Sequence, residues 1–79
     1  MREKHPRLVV AFHTTTAAMA LEKYCNEHGI PGRLIPIPRE ITAGCGLAWS
    51  APPDARAVVE QAVAALNAAV DGYYELLLT

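Results

Sequence analysis

Pro36-Ile37-Pro38-Arg39-Glu40-Ile41-Thr42-Ala43-Gly44-Cys45-Gly46-Leu47-Ala48-Trp49 is the stretch on which the fold turns. Its front end completes Gly32-Arg33-Leu34-Ile35-Pro36-Ile37, which reads as a short strand. Proline cannot donate to a ladder, so that strand belongs at a sheet edge. Its back end, Leu47-Ala48-Trp49, reads as the centre of a further strand. Between them, residues 38–44 are a loop. The spacing therefore predicts two strands in direct succession, with a helical pattern on either side.

Upstream, Leu8-Val9-Val10-Ala11-Phe12 is a continuous apolar run of strand length, suited to a central strand or one covered on both faces. His13-Thr14-Thr15-Thr16 follows, and a threonine before an apolar periodic segment is an N-cap signal. Ala17, Ala20, Leu21, Tyr24, Cys25 and His28 recur at helical spacing, and Gly29 with Pro31 ends the helix. Downstream, Ala51-Pro52-Pro53-Asp54 is a turn that launches a second helix. Val58, Val59, Ala62, Val63, Leu66, Ala69 and Val70 give it a wide apolar face, and Asp71-Gly72 is expected to close it. Tyr73-Tyr74-Glu75-Leu76-Leu77-Leu78 reads as the last strand. Residues 1–6 read as a polar lead-in ended by Pro6.

The order β-α-β-β-α-β predicts an α+β, ferredoxin-like domain over residues 1–79, with two helices on one face of a four-stranded antiparallel sheet. The expected strand order is fourth-first-third-second. That order gathers the end of the first strand, the start of the first helix and the start of the third strand at one rim. His13, Thr15, Arg39 and Cys45 are expected there.

Bulk properties narrow the function. Seventy-nine residues make one domain with little room for an internal cavity, and a partner or homodimer is compatible with so small a core. Seven Lys and Arg stand against eight Asp and Glu, a balance that gives no basic stripe for nucleic acid. No apolar run is long enough to span a bilayer, and the first residues lack a signal-peptide pattern. Two cysteines without a secretory signal point to the reducing cytoplasm rather than a disulfide.

Gly44 and Gly46 flank Cys45 and leave its sulfur room, so Cys45 is expected to be exposed. Three features of the rim would favour its thiolate: the positive end of the helix near Thr15, the Arg39 guanidinium, and a protonated His13. The amides flanking Gly44 and Gly46 could add an anion nest. Each has a plainer alternative: Arg39 in a surface ion pair, His13 at a strand end, the threonines as caps. Cys25 falls on the apolar helix face and reads as core. Cys25 and Cys45 fit no zinc spacing, and His13 with Cys45 supplies only two ligands, so no metal is expected.

Phe12-His13-Thr14-Thr15, Glu22-Lys23 before Gly29-Ile30-Pro31, Leu34-Ile35-Pro36-Ile37-Pro38-Arg39-Glu40-Ile41 and above all Cys45-Gly46-Leu47-Ala48 resemble the selenium/sulfur carrier-like proteins. The resemblance covers the chain from about Leu8 onward. Ser50 stands where a basic residue is frequent, and Gly44 where a polar one is. The resemblance implies that Cys45 holds sulfur or selenium as a persulfide or selenosulfide, taking it from a donor protein and passing it to an acceptor, without a cofactor. This is the chemistry of a carrier rather than a free-standing enzyme. Two other readings stay open: a regulatory or protein-interaction module, in which Cys45 is incidental, and a thiol redox sensor.

Overall fold

The computed structural model describes residues 4–41 and 45–78. The elements run in the order β1 (His5–Phe12), α1 (Thr15–His28), β2 (Arg33–Pro36), β3 (Leu47–Ala51), a 3-10 turn (Pro53–Ala55), α2 (Arg56–Leu66) and β4 (Val70–Leu78). One antiparallel sheet has the order β2-β3-β1-β4. This is the ferredoxin-like arrangement, with β2 at an edge and β1 in the centre.

Alternation along β1 decides what each face of the sheet buries. Leu8, Val10 and Phe12 point to the helices and join Leu21, Cys25, Trp49, Val59 and Ala62 in the main core. Val9 and Ala11 point the other way, yet both are fully buried. Their cover is the segment after β2. The Ile41 amide donates to the Pro38 carbonyl (3.0 Å), closing a turn. That turn lays Ile41 against Val9, Ala11 and Ala48, with Ile35 and Ile37 beside it. The proline-rich loop is thus a plug over one end of the second face. An unbroken apolar run in β1 is what two covered faces require.

The capping of α1 follows its sequence. Thr14, extended at φ −135°, accepts the Ala17 amide on its side chain at 3.1 Å. Gly29 takes a left-handed φ of 67° at the other end, and its amide donates to the Cys25 carbonyl. Gly32 serves a different need. A Cβ there would sit 2.4 Å from Trp49 Nε1 and 2.7 Å from the Ser50 carbonyl oxygen, and φ is +135°. Only glycine lets the chain enter β2 so close to the buried indole.

Several boundaries differ from the sequence reading. His5 and Pro6 belong to β1 rather than to a lead-in: β1 extends because β4 is long enough to pair His5 with Leu78 and Pro6 with Leu77. The second helix stops at Leu66, short of Ala69, Val70 and the Asp71-Gly72 signal. Asn67 adopts φ 51° and its amide returns to the Ala64 and Val63 carbonyls. Asparagine tolerates that left-handed cap. Val70, Asp71 and Gly72 then open β4.

Candidate functional site

The sheet register brings the start of β3 to the end of β1. Ala48 pairs with Ala11, Pro36 with Leu47, and Val70 with Phe12. Cys45, two residues before β3, therefore belongs to the rim where β1 hands over to α1. Gly46 carries the reversal into β3. Its φ is +81°, open space surrounds the place a Cβ would take, and its carbonyl accepts the Ile37 amide at 3.0 Å. Glycine accommodates this backbone without strain.

Cys45 is half-buried rather than exposed. Its side chain packs against the helix-side core, and Sγ donates to the Leu47 carbonyl oxygen at 3.6 Å. A thiol makes that contact; losing the proton, or gaining a second sulfur, removes the donor. The glycine flank did not bare the sulfur, because the turn folds it back onto the core. Cys25 is the opposite case: 0 % exposed on α1, with burial pushing its thiol up to about 11. Of the two cysteines, Cys45 is the partly exposed residue.

His13 lies on the same rim, but its Nδ1 is 3.0 Å from Asp71 Oδ1, and its amide donates to the Ala69 carbonyl. The β1–β4 pairing skips at this point: Ala11 pairs with Gly72 and Phe12 with Val70. The skipped residue is Asp71, and such a bulge re-aims a side chain. His13 thus ties β4 to the rim. Thr15 is the first helical residue and the capping side chain is Thr14's. No acidic residue occupies the first turn of α1; the carboxylate paired to this rim is that of Asp71, held on His13.

Arg39 has a different neighbourhood from the one expected. It borders a groove on the sheet face away from the helices, beside Ile35 and Ser50. Among the described residues no hydrogen bond or ion pair links Cys45 to Arg39, His13 or Thr15. Gly44, the other half of the expected nest, lies outside the described residues. Among the described residues, no group of three His, Cys, Asp or Glu side chains is placed to hold a metal ion, and no helix is long and apolar enough to cross a membrane.

The sequence reading missed two features of this region. One is the plug: Ile41 in an otherwise polar Arg-Glu-Ile-Thr segment was its only apolar signal. The other is the His13–Asp71 pair, which spans most of the chain and which no local pattern announces.

No curated protein and no solved structure matches the chain. A family model described as Putative Se/S carrier protein-like matches residues 7–75. The matched span runs from the middle of β1 to the middle of β4, taking in both helices and the Cys45 turn. The chain belongs to that Se/S carrier protein-like family.

Proposed function

We infer that the protein is a carrier of sulfane sulfur or selenium, with the Cys45 sulfur as the loading atom. Membership of the carrier-like family supports the class of activity. The observation that carries the choice of atom is the contrast between the two cysteines: Cys45 is half-buried at a rim, while Cys25 is sealed in the core.

The transfer is a thiol–persulfide exchange. Cys45 gives its proton to solvent, and its thiolate attacks the terminal sulfur of a donor persulfide. A bond forms between Sγ and that sulfur, the donor S–S bond breaks, and the donor leaves as a thiolate that solvent reprotonates. An acceptor thiolate then attacks the outer sulfur and expels Cys45. Each step swaps one S–S bond for another, so no oxidant or reductant is consumed. Selenium follows the same course through a selenosulfide. The positive end of α1 at this rim would steady the anionic terminal atom. Gly46 sets no side chain beside Cys45, and its own Cβ position borders open space. The partners under this reading are a donor and an acceptor protein of the reducing cytoplasm.

The test loads the chain with polysulfide, removes the excess, and adds cyanide, which takes a sulfane sulfur and releases thiocyanate. Wild type should yield thiocyanate stoichiometrically, and Cys45→Ser should yield none. Equal release from Cys45→Ser would overturn the assignment.

A further inference from the structure

We propose that the sheet face away from the helices carries a binding groove for a small organic oxyanion, a carboxylate or phosphate ester with an apolar body. The groove encloses about 740 Å³, within the range of small-ligand sites. Four of the chain's seven Lys and Arg border it: Lys4, Arg7, Arg33 and Arg39. Glu40 is the one carboxylate on its rim among the described residues. A chain with net charge −1 has therefore gathered most of its cations in one place. Among the described residues no carboxylate is within ion-pairing distance of any of the four.

The groove floor is organised for this task. Ser50 is the buried polar residue of the described chain, 4 % exposed. Its Oγ accepts from Arg7 Nε at 3.1 Å. That bond holds the guanidinium at the floor and leaves its two Nη groups without a side-chain partner among the described residues. Arg33 is registered opposite Ser50 on the neighbouring strand. Arg39 stands at the other wall, on the turn that Ile41 anchors to the sheet. Guanidinium forks bind carboxylate and phosphate in a bidentate manner, and several around one space select an oxyanion over a neutral group. Ile35 and Leu78 supply the apolar side of the groove, which is why an anion with an apolar body fits better than a bare ion. A second copy of the chain is a poor occupant, since face-to-face pairing would set four cations against four.

The groove lies on the sheet face opposite the core against which Cys45 packs, so this proposal stands apart from the carrier reading. The test follows backbone amide NMR shifts of the full chain during titration with phenyl phosphate, benzoate and, as the neutral control, benzyl alcohol. Saturable shifts are expected at Arg33, Ile35, Ser50 and Leu78 with at least one anion. The tighter of the two anions identifies the preferred oxyanion. Arg33→Gln and Arg39→Gln each remove an exposed cation, so they should keep the wild-type spectrum elsewhere while weakening binding roughly tenfold. Higher salt should weaken it further. Absence of saturable shifts with both anions, equal binding of benzyl alcohol, or unchanged affinity in both variants would each overturn the proposal. So would concentration-dependent shifts at the same amides without ligand, because a second copy would then be the occupant.

Discussion

Alkylation of the native chain should occur once, at Cys45, and the size of the preference follows from what surrounds Cys25. That side chain is fully buried among helix-side core residues, and its thiol is pushed up to about 11 by burial. Two routes could label it. In the native state, a thiol of that acidity is ionised in only about one molecule in a thousand at pH 8, and no surface is open to the reagent. The other route needs opening of the core. For a small domain of about 5 kcal/mol stability, the open fraction is on the order of 10⁻⁴. Cys25 should then react roughly 10³- to 10⁴-fold more slowly in the native chain than in denaturant. Cys45 needs no such opening. The assay is iodoacetamide labelling at pH 8 read by peptide mass, with and without urea, on wild type and Cys45→Ser. Cys45→Ser should stay almost unlabelled until urea is added. Labelling of Cys25 and Cys45 at similar native rates would refute the reasoning, because it would mean that the α1–sheet core is open.

Gly32→Ala forces a Cβ against the Trp49 indole and the Ser50 carbonyl at a positive φ; a loss of about 2–4 kcal/mol is expected, lowering Tm by roughly 10 °C or more, and a shift within a degree or two would contradict the close approach. Thr14→Ala removes the side-chain acceptor for the Ala17 amide and should cost about 1 kcal/mol in denaturant unfolding, with Thr14→Ser recovering most of it. Alkaline pH should destabilise the fold through Cys25. Its folded-state thiol is raised from 9.0 to about 11, so the unfolded chain loses this proton first. The contribution is intact below about pH 9, falls away as pH rises toward 11, and amounts to about 2–3 kcal/mol. Tyr73 is shifted upward as well, chiefly by burial. The difference in pH slope between wild type and Cys25→Ala isolates the cysteine, and identical slopes would contradict the burial argument. Arg39→Ala should leave the pH profile of Cys45 alkylation unchanged, since Arg39 borders the groove on the other face of the sheet; a profile displaced to higher pH would return Arg39 to the sulfur.

Much of this architecture is legible in the residues because local signals agree with the global fold. Leu8–Phe12 reads as a strand with two covered sides, Thr14 and Gly29 bracket α1, and the proline-marked β2 is an edge. Signals fail where a long-range contact competes with a local one. Ala69 and Val70 continue the apolar pattern of α2, but a left-handed Asn67 ends the helix and β1 recruits Val70 as a strand partner. At the site, the identity of the accessible sulfur was readable, since Cys25 shares a helical stripe with Leu21 and Cys45 does not. Its degree of exposure was not, because the turn that returns Sγ to the Leu47 carbonyl depends on β3 packing. The placement of Arg39 depends on which face Ile41 covers. That is a one-residue question of register in a loop, where periodicity says nothing.

The central claim is that Cys45 holds the transferred atom, and site-resolved mass analysis after loading tests it most directly. The chain would be incubated with polysulfide, alkylated, digested and mapped, with a parallel sample treated with dithiothreitol. The account predicts an added sulfur on the Cys45 peptide alone, lost on reduction, with Cys25 unmodified. An added sulfur on Cys25, or a Cys45 that stays unmodified while the chain remains folded, would contradict it.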